Sequence, residues 1–223
     1  MVSAEDLVEA NRRIRALGAA ELESLWATLN LGDVEATNVA LVRIMPSLVF
    51  KYGDMAAAIA ADIYAEWREE ARAASRYESL MAELMPEADV QRSTRYAVGG
   101  LYRDPPDPEA VLSLLKNDVL DRFTQNQGRL TIARNVAADP ERPRWARIPV
   151  GVTCEWCLML GSRGFAPGYG YRTEVTASAA SHGSCDCVLA PSWATGELID
   201  NYDANAVYDQ WQAAKRQRAA DKK

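Results

Sequence analysis

The residues of this chain with the clearest chemical potential are its four cysteines and its single histidine, which all lie between positions 154 and 187. A Cys-x-x-Cys pair opens the stretch and a His-x-x-Cys-x-Cys run closes it, which gives the candidate ligands Cys154, Cys157, His182, Cys185 and Cys187. Structural zinc sites are tetrahedral and take thiolate sulfur and imidazole nitrogen, and a two-residue spacer turns both sulfurs to one side. The pattern therefore predicts a structural metal site, with zinc as the expected ion.

Five candidate ligands compete for four positions in such a site. One set consists of the four cysteines, and the other replaces Cys185 or Cys187 with His182. Because Cys185 and Cys187 are two residues apart, an extended strand would point both side chains the same way. A bound ion would close a long loop that has little core of its own, so metal binding would be coupled to folding. Buried reduced thiols, or disulfides formed after release from the cell, are the alternatives without a metal.

Catalytic roles for these cysteines find less support in the sequence. A cysteine hydrolase would have to use His182 as its base, and no third residue that orients the histidine is evident. A thiol oxidoreductase built on Cys154 and Cys157 lacks the βαβ pattern of that class, and Glu155 between them disfavours a thiolate. The glycines of Gly161-Ser-Arg-Gly164 have neither the length nor the lysine of a phosphate-binding loop. The sequence therefore predicts a protein without catalytic residues.

Composition and charge set the class of protein. The chain has 223 residues, of which 48% are hydrophobic and 25% charged, values typical of globular proteins. It contains no apolar run long enough to span a membrane, and its first residues lead us to expect no secretory signal. A net charge of −6 argues against a general nucleic-acid binder. Two local segments are basic, however: residues 121–150 hold six arginines against three carboxylates, and residues 215–223 hold five positive charges against one.

Apolar spacing predicts a series of helices in the first two thirds of the chain. Ser3 and Asp6 resemble a capping box at the start of a first helix, and Gly18 is a plausible stop for it. A second helix covers residues 22–29, a third runs over 33–45 to Pro46, and a long one follows over 48–67. The apolar pattern then continues through residues 80–84 until Pro86 interrupts it.

The last part of the chain predicts a different mixture of elements. Asp107 and Pro108 have the residue types of a helix start, and the helix is expected over 108–137, loosened near Gly128. Residues 145–152 and 187–191 read as short extended segments, and Asp203 is suited to cap a final helix. The predicted fold class is α+β and mainly α-helical. It divides into a helical region at 1–138, a small Cys/His-rich module with short strands at 139–200, and a C-terminal helix with a basic tail at 201–223.

The compound cysteine motif resembles that of a known protein family. The run from Cys154 to Gly164 reads Cys-Glu-Trp-Cys-Leu-Met-Leu-Gly-Ser-Arg-Gly, and together with the later run His182-x-x-Cys185-x-Cys187 it resembles the C-terminal module of Mu F-like minor head proteins of tailed bacteriophages. The minor capsid proteins of actinobacterial phages are the more similar group. The chain differs from the usual pattern at Asp186, where relatives more often carry arginine.

The resemblance implies a structural minor head protein rather than an enzyme. Such a protein is a virion component at the portal or the inner capsid surface, assembled in the host cytoplasm, and acts in head assembly or in DNA packaging and ejection. Its implied partners are the portal protein and the major capsid protein, with packaged DNA reached through the basic segments, and no membrane or small-molecule substrate. A capsid-maturation peptidase that uses His182 with a cysteine is the main alternative, and a zinc-knuckle nucleic-acid binder is another.

Overall fold

The computed structural model describes residues 3–151, 153–164, 185–193 and 202–221, so His182 lies outside the described residues. The helices are α1 Ala4–Trp26, α2 Val34–Glu70, α3 Glu87–Val98, α4 Pro108–Leu114, α5 Arg122–Ala138, α6 Glu155–Gly161 and α7 Ala204–Ala220. A 3-10 turn at Gly99–Tyr102 precedes α4, and a π-helical segment at Leu115–Asp121 joins α4 to α5. The two strands are β1 Arg144–Ile148 and β2 Val188–Ser192. The predicted fold class, mainly helical with short strands, is confirmed.

The predicted helix starts are confirmed where a side chain caps them. Ser3 and Asp6 form the reciprocal capping box of α1. The Asp107 side chain accepts a hydrogen bond from the Ala110 amide at the start of α4, and the Asp203 side chain accepts one from the Asn205 amide at the start of α7. These caps are local, so the sequence carries the whole signal for them.

Two predicted helix ends are wrong, because tertiary packing overrides the local signal. Gly18 does not stop α1, which continues to Trp26. A Cβ at Gly18 would lie 3.2 Å from side-chain atoms of both Tyr52 and Leu120, so this glycine permits a close approach between helices. Pro46 lies inside α2 rather than at a helix boundary. Buried Met45 and Leu48 on either side of it fix the backbone of α2 in the main core.

The segment between α2 and α3 also differs from the prediction, since residues 73–86 form no helix. The loosening predicted near Gly128 occurs earlier, in the π-helical segment. Gly128 is instead a contact point, because a Cβ there would lie 3.2 Å from the Ala56 carbonyl oxygen. The glycine therefore lets α5 lie directly against α2.

The two strands form an antiparallel pair in which Ala146 lies opposite Ala190 and Arg147 opposite Leu189. Side chains of both strands pack with the start of α1 and with α7 in one cluster that includes Leu7, Val8 and Val207. Leu189 packs into a second cluster with residues of α2 and α5. The sheet thus sits between two groups of helices. In the described part of the chain, no helix has the length and apolar character needed to cross a membrane.

Candidate metal centre

The cysteines are positioned by α6 and by the segment that leads into β2. Cys154 is the N-cap residue of α6, and its sulfur accepts a hydrogen bond from the Cys157 amide at 3.3 Å. That bond satisfies one of the backbone amides in the first turn of α6, which have no partner within the helix. It also places the Cys154 and Cys157 sulfurs on the same side of the helix. Cys185 and Cys187 immediately precede Val188, the first residue of β2. The β1–β2 pairing holds this segment beside α6.

The structure brings the sulfurs of both predicted pairs together. The Sγ atoms of Cys154, Cys157 and Cys185 all lie within 4.8 Å of one another and form a group that could hold a metal ion. Cys187 is not part of that group, but its Sγ lies 3.3 Å from the Sγ of Cys157. The Cys185 and Cys157 sulfurs are 3.5 Å apart. Three of the cysteines are buried and Cys154 is half-buried, and all four are free thiols in this structure.

The side chains of residues 185–187 alternate in direction, as expected of an extended chain. Cys185 and Cys187 face the sulfur cluster, and Asp186 between them pairs with α1. The Asp186 carboxylate accepts hydrogen bonds from Arg12 at 2.7 Å and from Arg15 at 2.6 Å. Asp186 is therefore an anchor between the cysteine run and the first helix.

Two buried arginines adjoin the sulfurs. Arg147 of β1 is fully buried, and its Nη1 lies 3.0 Å from the Cys187 Sγ and 3.9 Å from the Cys157 Sγ. Arg129 of α5 donates to the Cys187 Sγ at 3.3 Å and to the carbonyl oxygens of Cys185 and Cys187. These contacts hold the cysteine run against α5 and β1 and place positive charge beside the thiols.

Electrostatics within the cluster favours one thiolate in particular. The pKa of Cys187 is lowered well below the ordinary value of a thiol, because Cys157 and Cys185 hydrogen-bond to its sulfur and the charges of Arg129 and Arg147 outweigh the effect of burial. The pKa of Cys157 is raised, because its thiol is shared with the sulfurs of Cys185 and Cys187 and is buried. The two arginine charges therefore favour the thiolate form of Cys187.

The chemistry of this donor set fits a soft divalent ion. Grouped, mostly buried sulfurs that belong to two separate segments are the arrangement of a structural zinc site, and thiolates are ligands that zinc accepts. No described histidine or carboxylate lies among the sulfurs as a general base. The position of His182 relative to them falls outside the described residues.

The two arginines are the site residues that sequence reasoning missed. Both belong to the segment 121–150, whose charge suggested a basic surface, and both are buried. For Arg147 the local signal pointed the other way, because in a strand it faces away from Ala146 and Ile148, and that alternation predicts an exposed side chain. Nothing in the spacing around Arg129 indicates its role. Contact of the remaining basic residues with DNA or an acidic partner stays a prediction.

Comparison with protein families identifies a match that covers most of the chain. The family model described as VG15 protein matches residues 1–214, which covers the helical region, the cysteine run and most of α7. No curated protein and no solved structure matches the chain.

Proposed function

Because this chain belongs to the VG15 protein family, a family of viral gene proteins, we propose that it is a structural minor head protein of a tailed bacteriophage. It associates with the portal or the inner capsid surface and acts in head assembly or in DNA packaging and ejection. The observation that carries this proposal is the family match over residues 1–214, which includes the helical region as well as the cysteine motif. The compound cysteine motif supports the finer assignment to the Mu F-like minor head group.

The cysteine cluster serves this role as a structural zinc site. An ion held by sulfurs from α6 and from the residues before β2 joins two segments that are far apart in the sequence. Binding energy at such a site adds directly to the free energy of unfolding. We expect one zinc per chain, and we expect chelation of the ion to lower the melting temperature.

Purified virions provide the test of the head-protein assignment. An epitope-tagged chain should co-sediment with DNA-filled heads at low copy number and co-purify with the portal protein from an infected-cell lysate. A phage that lacks the gene should give fewer infectious heads, and the plasmid-borne gene should restore them. A chain that is recovered only as a free monomer and is absent from purified virions would contradict the proposal.

A matched variant separates the structural role from a capsid-maturation peptidase. A peptidase that uses His182 with a cysteine would lose all processing of capsid precursors on His182→Ala. A structural protein with this substitution should still be incorporated into heads, and the capsid protein should have its normal mass by intact-mass spectrometry. Unprocessed capsid precursor in the variant would favour the peptidase.

A further inference from the structure

The following inference rests on the proposed metal site and concerns which atoms bind the ion. We propose that the ion is held by four thiolates, from Cys154, Cys157, Cys185 and Cys187, with Arg129 and Arg147 as buried cations that stabilise the anionic centre. His182 is not a ligand in this arrangement. The ligand class is a soft divalent ion that accepts four sulfurs, with zinc as the example.

Cys187 is the sulfur that hydrogen-bonds to both buried arginines. Its Sγ lies 3.0 Å from the Nη1 of Arg147 and 3.3 Å from the Nη2 of Arg129. Hydrogen bonds from a cation to a thiolate are stronger than those between neutral groups, and a sulfur must be a thiolate to bind a metal ion. The two arginine contacts therefore favour Cys187 as a thiolate ligand of the ion.

Arg129 needs an anion at this position. Its side chain is buried, and its hydrogen-bond acceptors are the Gln125 side chain, the carbonyl oxygens of Cys185 and Cys187, and the Cys187 sulfur. Among the described residues, the thiolate is the only one of these acceptors that carries charge. A buried guanidinium without an anion is strongly destabilising. A disulfide at Cys187 would remove that anion, so the contacts of Arg129 favour the reduced, thiolate form.

The remaining ligands follow from the positions of the other sulfurs. Cys154, Cys157 and Cys185 already lie within 4.8 Å of one another, and Cys187 lies 3.3 Å from Cys157. A tetrahedral zinc with four sulfurs at bond lengths of ~2.3 Å separates them by ~3.8 Å. The Cys157 sulfur lies 3.3 Å from that of Cys187 and 3.5 Å from that of Cys185, slightly closer than this spacing. Cys187 lies outside the 4.8 Å group, so its sulfur must move toward the other three to complete a shell of four.

The net charge expected for an ion with four thiolate ligands is balanced by the two buried arginines. A divalent ion with four thiolates is a dianion, and two guanidinium groups contact its sulfurs. Hydrogen bonds from outside the ligand shell typically orient metal ligands and tune the affinity. Arg129 and Arg147 act in this way, through Cys187 and Cys157, without touching the ion.

Two single variants of the full chain test the ligand set. Zinc content is measured by elemental analysis, and Co²⁺ is titrated as a spectroscopic probe because its sulfur charge-transfer bands report the number of thiolates. His182→Ala should bind one ion with the affinity and Co²⁺ spectrum of the wild type. Cys187→Ser should bind roughly 100-fold more weakly or not at all, with weaker charge-transfer bands.

The arginines are tested with a control on the same helix. Arg129→Gln should lower the affinity for Zn²⁺ by ~10–100-fold, and Arg129→Lys, which keeps the charge, should lower it less. Arg134→Gln is the control, because Arg134 is only partly buried and, among the described residues, donates to the Met81 carbonyl oxygen rather than to the cysteine run. The zinc-dependent gain in melting temperature should shrink in Arg129→Gln and stay unchanged in Arg134→Gln. A purely structural role for Arg129 would lower the melting temperature equally with and without zinc, which would overturn the proposed role.

The outcomes distinguish this inference from the head-protein proposal. Loss of the ion in His182→Ala would overturn the four-thiolate set, even if Cys187→Ser fails to fold. Wild-type protein with two disulfides and no ion would overturn both the set and the zinc site. Neither result bears on whether the chain co-sediments with virions, which is measured separately.

Discussion

At the scale of single residues, Asp139 is the clearest example of a buried charge held by its surroundings. Its carboxylate accepts hydrogen bonds from the Tyr64 hydroxyl and the Arg68 Nε, both at 2.9 Å, and from the Trp193 indole at 3.3 Å. The Glu141 amide donates a further bond. Burial alone would raise the pKa of Asp139, but these donors outweigh it and lower the pKa. Asp139 therefore stabilises the folded chain as an anion.

The substitution Asp139→Asn should reduce the free energy of unfolding by about 3 kcal/mol at neutral pH, because it leaves Arg68 buried without its anion. The folded-state pKa of Asp139 lies below the unfolded value of about 3.9. The stabilisation is therefore complete above that value and is lost as the pH falls through the folded pKa. Urea unfolding of both proteins at pH 7, 5 and 3 should give equal differences at the first two and a smaller one at pH 3. An equal difference at all three would show that Asp139 acts through packing alone.

The same scale shows what the sequence could and could not predict about the site. Local spacing predicted that Cys154 and Cys157 lie together, because one helical turn sets both. It could not predict that Arg129 and Arg147 meet Cys187, because those contacts join α5, β1 and the segment before β2. The positive charge of residues 121–150 suggested an exposed basic surface, but Arg129 and Arg147 are buried in the folded chain.

At the scale of elements, α5 carries a row of buried polar side chains that hold the extended segment 77–85. Gln127 donates to the carbonyl oxygens of Ala82 and Glu83, and Thr131 accepts from the Ala82 amide. The Asn135 amide donates to the Leu80 carbonyl oxygen and accepts from the Leu80 amide. These three polar residues recur every four positions and so lie on one face of α5. Their side chains supply hydrogen-bond partners to the backbone of residues 80–83, which forms no helix or strand of its own.

The substitution Asn135→Ala should lower the free energy of unfolding by about 1–2 kcal/mol, because it leaves the partly buried amide and carbonyl groups of Leu80 without these partners. Hydrogen exchange should speed up at the amides of Leu80 and Ala82 before it does in the α2 core. Arg134→Ala is the neighbouring comparison and should cost less than about 1 kcal/mol, because that partly exposed side chain makes one bond to the segment, to the Met81 carbonyl oxygen. If both variants exchange alike, the segment is held by other contacts.

This element also explains why helix prediction failed at residues 80–84. Leu80, Met81 and Leu84 have helical spacing, yet each remains more than two fifths exposed. Their backbone is bound by α5 instead of by its own helix, and that choice depends on residues some 50 positions later in the chain. The predictions that helices end at Gly18 and Pro46 were wrong for a related reason, because packing between helices keeps α1 and α2 helical through these residues.

At the scale of the whole molecule, Asp186 joins the cysteine run to the first helix. Its carboxylate pairs with Arg12 and Arg15, and Arg15 also lies 3.7 Å from Asp121 at the end of the π-helical segment. Gly151 permits this contact, because a Cβ there would lie 2.4 Å from the Arg12 guanidinium and its φ is +62°. The N-terminal helix, the π-helical segment and the cysteine run thus meet in one network.

The substitution Asp186→Asn should weaken the docking of α1 while leaving the ion in place, because the carboxylate points at α1 and the neighbouring cysteines face the cluster. We expect a loss of about 2 kcal/mol in the free energy of unfolding, since Arg15 keeps Asp121 nearby and Arg12 is partly exposed. Hydrogen exchange should accelerate in the first turns of α1, and zinc content should stay unchanged. Arg13→Ala is the matched control, because Arg13 is exposed and pairs with Glu9 on the same helix; it should cost less than about 0.5 kcal/mol. Loss of zinc in Asp186→Asn would show instead that the anchor and the metal centre form one cooperative unit.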